Sequence, residues 1–228
     1  MTHTATITID RQDRRNALDI ATCVRLAEEV EAAHMGGVRA IVLTGAGPHF
    51  CAGADLSLVH GTTLAVALRH LLDAIVASPA PVIAAVHGAA LGAGTQLAIA
   101  CDLRMVDATA RFGIPAAKLG LMVDHWTVQR LALQAGHGPA RAMLLAAQEL
   151  DADAALRLGF AQRSGDLAAA EDWAQEVAAL APLTVAGHKL LLNGADAEDA
   201  YRRAWASADA VEGITAFRER RPPQFGGV

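Results

Sequence analysis

The sequence predicts an α/β fold in its first two thirds, followed by an all-helical region. Three observations carry that reading. Short β-branched runs recur through the first half, each bounded by Gly, Pro or Asp. Segments with leucine and alanine at helical spacing stand between those runs. Beyond about residue 163 the strand-like runs stop, and helical patterns continue alone. A core domain over 1–163 and a C-terminal helical region over 164–228 follow.

Taken in order, TATITID alternates apolar and polar positions and predicts a half-buried strand. RQDRRNALD is a polar turn, leading to a helix with Leu18, Cys23, Leu26, Ala27 and Val30 on one face. VRAIVLTGAG reads as a buried strand ending in glycines, and Thr62 to Ser78 as a helix stopped by Pro79. PVIAAVHG is the next strand and LGAGTQLAIA the next helix. LRMVDATARF supplies two short strands around a polar turn, and one further strand is expected near Phe160. Asp124, Asp151 and Asp166 read as N-caps, and Pro139 suits a first helical turn. The tail from Pro182 to Arg221 is amphipathic and helical. Strands alternating with helices imply βαβ units and a largely parallel sheet.

Composition narrows the function. The chain has 228 residues, enough to bury a sizeable core without covalent staples. A net charge of −5 gives no support for nucleic-acid binding, which calls for a basic surface. Cys23, Cys51 and Cys101 are an odd number without a CxxC or Cys/His cluster, so neither a disulfide framework nor a metal site is expected. Free thiols and the lack of a basic-then-apolar N-terminal stretch predict a cytoplasmic location. The apolar run from Pro79 to Ala100 is broken by His87, Gln96 and glycines, so a buried strand and helix are expected there and not a membrane span.

Several chemistries fail on spacing. None of the four serines lies in a GxSxG elbow, and neither a Walker A loop nor an HExxH helix is present. The pairs Gly45/Gly47 and Gly92/Gly94 each lack the third glycine of a dinucleotide fingerprint. His87, before a glycine at a strand end, reads as a hydrogen-bonded structural residue.

Two glycine- and alanine-rich turns remain. FCAGADL follows one strand, and LGAGTQL opens a helix after another. Small residues let a ligand approach the backbone, and a helix N-terminus offers unsatisfied N–H groups at the positive end of its dipole. Two such N–H groups aimed at one point make an oxyanion hole; two tight turns with no ligand have the same spacing.

The blocks RRNAL, FCAGADL, PVIAAVHGAALGAGTQLAIACDLR, FGIPAAKLGL with QRL, RAMLL and FRERRPPQF occur in that order. Together they resemble the crotonase (enoyl-CoA hydratase/isomerase) superfamily, nearest to its actinobacterial hydratase homologues that lack the usual glutamate pair. The resemblance implies a spiral of ββα units with a C-terminal helical trimerisation region, assembling as a homotrimer or a dimer of trimers. It implies an acyl-CoA thioester as ligand and no further cofactor. The N–H groups of Ala54 and Ala93 would form the oxyanion hole. Arg15, Ala17, Ala52, Asp55, Leu56 and Pro115 would lie along the CoA and acyl parts, and Arg218 to Arg221 near the CoA phosphates. The segment between Leu56 and Leu72 looks short beside the family.

The same resemblance marks two departures. Gln96 and Ala116 stand where hydratases of the family carry glutamates. A glutamine amide holds water but does not exchange protons near neutral pH, and alanine does neither. Losing one positioned proton-transfer group costs about 10²–10⁴ in rate, so weak or lost hydratase activity is expected. Asp124 is the one carboxylate placed to substitute. It is either a helix cap alone or a cap that also faces the acyl group, with His125 and Trp126 lining that pocket.

Overall fold

The computed structural model describes residues 3–58 and 62–228; residues 59–61 of the short segment noted above lie outside them. The chain winds through repeated turns of one plan. β1 (Thr4–Ile9) leads through a 3₁₀ turn (Gln12–Arg14) to α1 (Ile20–Met35), and β2 (Ala40–Gly45) through another (Leu56–Leu58) to α2 (Thr63–Ala77). β3 (Val82–Val86), β4 (Ala89–Leu91) and α3 (Ala93–Ala100) form the third turn. β5 (Leu103–Val106), β6 (Arg111–Gly113), a 3₁₀ turn (Pro115–Leu119) and α4 (His125–Ala135) form the fourth. Then come α5 (His137–Leu145), β7 (Leu150–Asp151), α6 (Ala152–Arg157), β8 (Arg163–Ser164), α7 (Leu167–Ala178), α8 (Pro182–Leu192), α9 (Glu198–Ala206) and α10 (Ala208–Glu219).

Two sheets result. The larger is parallel throughout, in the order β1-β2-β3-β5-β8. The smaller holds β4-β6-β7 and is extended by single-residue bridges, Leu18 with Ala54 and Cys51 with Ala90. Each spiral turn therefore gives one strand to the first sheet, a shorter segment to the second, and then a helix. This is the ββα spiral that the resemblance implies.

β2 is buried at all six positions because both its faces are covered. Ile41 and Leu43 face the main core with Leu26, Leu71 and Leu72, while Ala40 and Val42 meet Ala170, Trp173 and Ala174 of α7. The boundary expected after residue 163 thus falls inside β8, and α7 beyond it still covers the sheet.

The predicted caps at Asp124, Asp151 and Asp166 each accept the expected N–H bond, at 2.9, 2.8 and 3.0 Å. Three local readings change. Leu18 is not on α1 but precedes its cap, Asp19, and pairs with Ala54. The strand expected near Phe160 lies at Arg163–Ser164, and Phe160 itself packs edge-on against Phe112. The amphipathic tail is three helices, broken at Asn193–Ala197 and Ser207. No helix among the described residues is long and apolar enough to cross a membrane.

The helical tail is anchored by a buried cation. Lys189 on α8 is 5% exposed, and its Nζ donates to Ile75 O, Ala80 O and, at 2.7 Å, to Asp102 Oδ2. Asp102 also accepts from Val82 N at the start of β3. One ion pair thereby ties α8 to α2, β3 and the end of α3. Removing one partner of a buried pair strands the other, at roughly 3–5 kcal/mol. Lys189→Met is expected to lower the unfolding free energy in urea titrations by about that amount, and Lys189→Met/Asp102→Asn to recover part of it; an unchanged single variant would refute the anchor.

Candidate functional site

The two glycine-rich turns meet because their segments are neighbours in the second sheet. Cys51 N donates to Ala89 O at 2.9 Å, and Leu91 N donates to Cys51 O at 3.0 Å. With Cys51 opposite Ala90 in parallel register, Ala54 and Ala93, each three residues on, come out side by side. The turns themselves approach closely. A Cβ placed on Gly92 would sit 3.9 Å from Gly53 Cα, and one placed on Gly53 would sit 4.0 Å from Ala93 N.

Glycine is required at two of these positions. Gly53 has φ +121, and a Cβ there would lie 3.1 Å from Leu91 O. A Cβ on Gly94 would lie 2.2 Å from Cys51 O, an outright overlap. Thr95 locks the turn from below. Its buried hydroxyl lies 2.6 Å from Ala90 O and 2.9 Å from Gly113 O, within reach of either for its one proton, and accepts from Gly113 N.

The N–H groups of Ala54 and Ala93 bond to no acceptor among the described residues. Ala93 is the first residue of α3 and 4% exposed, so its N–H sits at the positive end of a buried helix. Gln96, one turn later, is half-buried, while the other seven residues of α3 are fully buried. No side-chain bond of Gln96 forms within the described residues. Ala116 follows Pro115 at the start of a 3₁₀ turn whose remaining residues are exposed; it is half-buried and packs against the core.

The RRNAL segment frames the first turn. Arg15 and Asn16 are both left-handed, with φ of 52 and 58. Asn16 is fully buried and makes the conformation tenable. Its amide donates to Ala46 O and His49 O, and its Oδ1 accepts from Arg11 N. Ala52 N donates to Arg15 O at 3.0 Å, which joins this segment to FCAGADL. Arg15 and Leu56 are exposed, Ala17 and Ala52 half-buried.

Arg11, which sequence reasoning passed over, is the hub. It reaches Asp19 at 3.2 Å, Asp55 at 3.3 Å and Ala17 O at 2.6 Å. Hydrogen bonds from the Ser57 hydroxyl and N–H, with Arg11 beside them, hold the Asp55 carboxyl below its ordinary value. Burial pushes Asp19 up, but bonds from Thr22 and the charge of Arg11 outweigh it and the net direction is down. No local pattern announces Arg11, because its contacts join the Ala17–Asp19 turn to Asp55 of the remote FCAGADL segment.

The other predicted residues have partners of their own. Asp124 caps α4, and its Oδ2 lies 3.8 Å from Arg69, so the carboxylate serves the helix start. His125 is exposed. Trp126 packs on the core with Arg69 4.1 Å and Arg130 5.5 Å from its ring centroid, which makes it a stacking platform for guanidinium groups. His87 bonds to Gly47 O at 2.9 Å, the structural role expected of it. Within the C-terminal basic cluster, Arg221 is paired with Glu212 at 2.6 Å and Glu219 at 2.7 Å. The three cysteines are buried, and burial pushes each thiol up to about 12, so none is a ready nucleophile at neutral pH.

Two outcomes test this geometry. Gly94→Ala drives its methyl into Cys51 O, and overpacking of this kind costs about 1–3 kcal/mol; a urea midpoint equal to wild type would contradict it. Asp19 and Asp55 have depressed folded pKa values, so they add stability above the ordinary carboxyl value of about 3.9, lost as pH falls through their lower folded values. Arg11→Met brings both back toward that value. Its stability profile between pH 7 and 3 is therefore expected to be flatter than that of wild type, and parallel profiles would contradict the hub.

Comparison with known proteins agrees with this architecture. The family model described as Enoyl-CoA hydratase/isomerase matches residues 2–228. A probable enoyl-CoA hydratase of Mycobacterium tuberculosis is 45% identical over 235 residues, covering 98% of this chain and 96% of the relative. A short-chain-enoyl-CoA hydratase of Clostridium acetobutylicum is 31% identical over 239 residues, covering 95% and 92%. Among solved structures, an enoyl-CoA hydratase from Polaromonas superposes with a TM-score of 0.91 at 29% identity, covering 99% and 97%. One from Mycobacterium smegmatis gives 0.86 at 31%, covering 98% and 95%. With the spiral, the two sheets and the paired turns in place, the chain belongs to the enoyl-CoA hydratase/isomerase family.

Proposed function

We propose that this protein binds acyl-CoA thioesters and hydrates enoyl-CoA weakly or not at all. One observation carries the reading: the turns that hold Ala54 and Ala93 abut, and the backbone N–H groups of both have no acceptor among the described residues. They offer an oxyanion hole for the thioester oxygen, while the side chains at 96 and 116 are an amide and a methyl. Relatives named as hydratases supply the ligand class, a CoA thioester. Arg15, Ala17, Ala52, Asp55, Leu56 and Pro115 are the residues we assign to the rest of that ligand. The thioester itself is the only small molecule the reading needs, and the protein is taken to be cytoplasmic.

Hydration needs a base for water and an acid for the α-carbon. Gln96, with no partner among the described residues, is free to hold a water but has no proton to trade. Asp124 is engaged as a cap and beside Arg69. The proposal therefore assigns it no proton transfer.

Self-association is part of the proposal. Helices α8 to α10 leave Leu191, Trp205, Ile214 and Phe217 at least half exposed, the first three lining a cavity of about 570 Å³. We assign this region to trimer contacts. Trp205→Glu/Phe217→Glu is expected to shift the sedimenting species from trimer or hexamer to monomer; an unchanged distribution would move the contacts elsewhere.

Calorimetry and turnover assays over a panel of saturated and enoyl-CoA thioesters test the function. Saturated esters are expected to bind without reaction, with hydration reduced by about 10²–10⁴ for each missing proton-transfer group. Gln96→Glu/Ala116→Glu is expected to raise hydration, and Asp124→Asn to leave any residual turnover unchanged. Failure to bind any CoA ester would overturn the proposal. Loss of turnover in Asp124→Asn would instead favour an active enzyme using Asp124 as acid or base.

A further inference from the structure

The far end of α3 is held as tightly as its start. Arg104, 3% exposed, donates from Nη1 to Ala98 O at 2.9 Å and Cys101 O at 3.2 Å, and from Nε to Phe160 O. Arg130 donates from Nε to Ile99 O and from Nη2 to Ala100 O, and Gln134 adds a second bond to Ile99 O at 3.1 Å. The last three carbonyls of the helix are all bonded from outside it, mainly by guanidinium groups.

Those groups keep their charge. Burial lowers both arginines, Arg104 to about 10, which still leaves it protonated at neutral pH. Arg130 Nη1 bonds to the neutral Asn193, and Asp102, a carboxylate that both arginines sense, is already paired with Lys189. Nothing so close neutralises the cations as the carbonyls themselves. A cation at a helix C-terminus offsets the negative end of the dipole. Eight residues span about 12 Å, a distance over which charge is still felt in a poorly polarisable interior.

We propose that Arg104 and Arg130 are positioning residues for the thioester site. They fix the last turn of α3 and offset its negative end, so that the N–H of Ala93 presents a stronger positive field to a bound thioester oxygen. The inference rests on the thioester-binding reading above. It assigns work to residues remote from the ligand, acting along the helix axis.

The test compares dissociation constants for a saturated acyl-CoA thioester and its thioether analogue, which lacks the carbonyl. Wild type, Arg130→Gln and Arg130→Lys are titrated by calorimetry. Arg130→Gln is expected to lose about 3- to 10-fold of the thioester preference while thioether binding stays within about twofold, and Arg130→Lys to keep most of it. An unchanged preference in Arg130→Gln overturns the inference, as does equal weakening of both ligands, the mark of a merely structural arginine. Should Arg130→Gln not fold, Gln134→Glu sets a carboxylate against Ile99 O with both arginines in place. It is expected to reduce the preference, and no change overturns the inference. Wild type with no thioester preference would sink the reading of the site itself, a result separable from all of these.

Discussion

The parallel register between the Cys51 segment and β4 is the constraint from which the site descends. Two backbone bonds, Cys51 N to Ala89 O and Leu91 N to Cys51 O, set it. Because the strands run the same way, equal steps along each lead to neighbouring points, and three residues on the chain arrives at Ala54 and Ala93. A shift of one residue would carry the N–H groups past each other and put Gly94, the one residue there that tolerates Cys51 O, out of place. The site is thus a property of backbone pairing more than of side chains. That is why it persists beside a glutamine and an alanine.

Around that register the fold uses polar contacts to hold strained backbone. Left-handed conformations at Arg15 and Asn16 cost of order 1–3 kcal/mol each. Three hydrogen bonds from the buried Asn16 side chain compensate. Arg11 couples the same loop to Asp19 and Asp55, and Thr95 clamps the second turn to β4 and β6. At the other end, Lys189 reaches through to Asp102 beside the C-terminus of α3. α3 is therefore fixed at both ends and buried along its sides, leaving Gln96 as its partly accessible residue. A helix so constrained can present an N–H group without reorganising when a ligand arrives.

Much of this was legible in the sequence, for physical reasons that also mark where reading stops. Strands such as TATITID and VRAIVLTG announce themselves through period and branching, and the caps at Asp151 and Asp166 through the residue type a helix start requires. The two-residue strands β7 and β8 carry no period to read. Leu18 looked helical because its spacing to Cys23 fits a helix face, yet its pairing with Ala54 is set by a partner 36 positions away. Arg11, Arg104, Arg130 and Lys189 escaped notice for a related reason. A basic side chain is ordinarily solvated, and only the fold shows that these four are directed at buried carbonyls and carboxylates. The glycine turns could be found, but that they abut in the second sheet is something spacing alone does not show and the fold does.

The central claim is that two backbone N–H groups polarise the carbonyl of a bound thioester, while the side chains at 96 and 116 neither exchange the protons of its α-carbon nor add water across an enoyl double bond. Isotope-edited infrared difference spectroscopy of a bound saturated acyl-CoA, labelled with ¹³C at the thioester carbonyl, addresses it most directly. The account predicts a carbonyl stretch displaced to lower frequency on binding, with the α-carbon protons retained in D₂O over the same period. A bound thioester whose carbonyl stretch matches that of the free ester would contradict it.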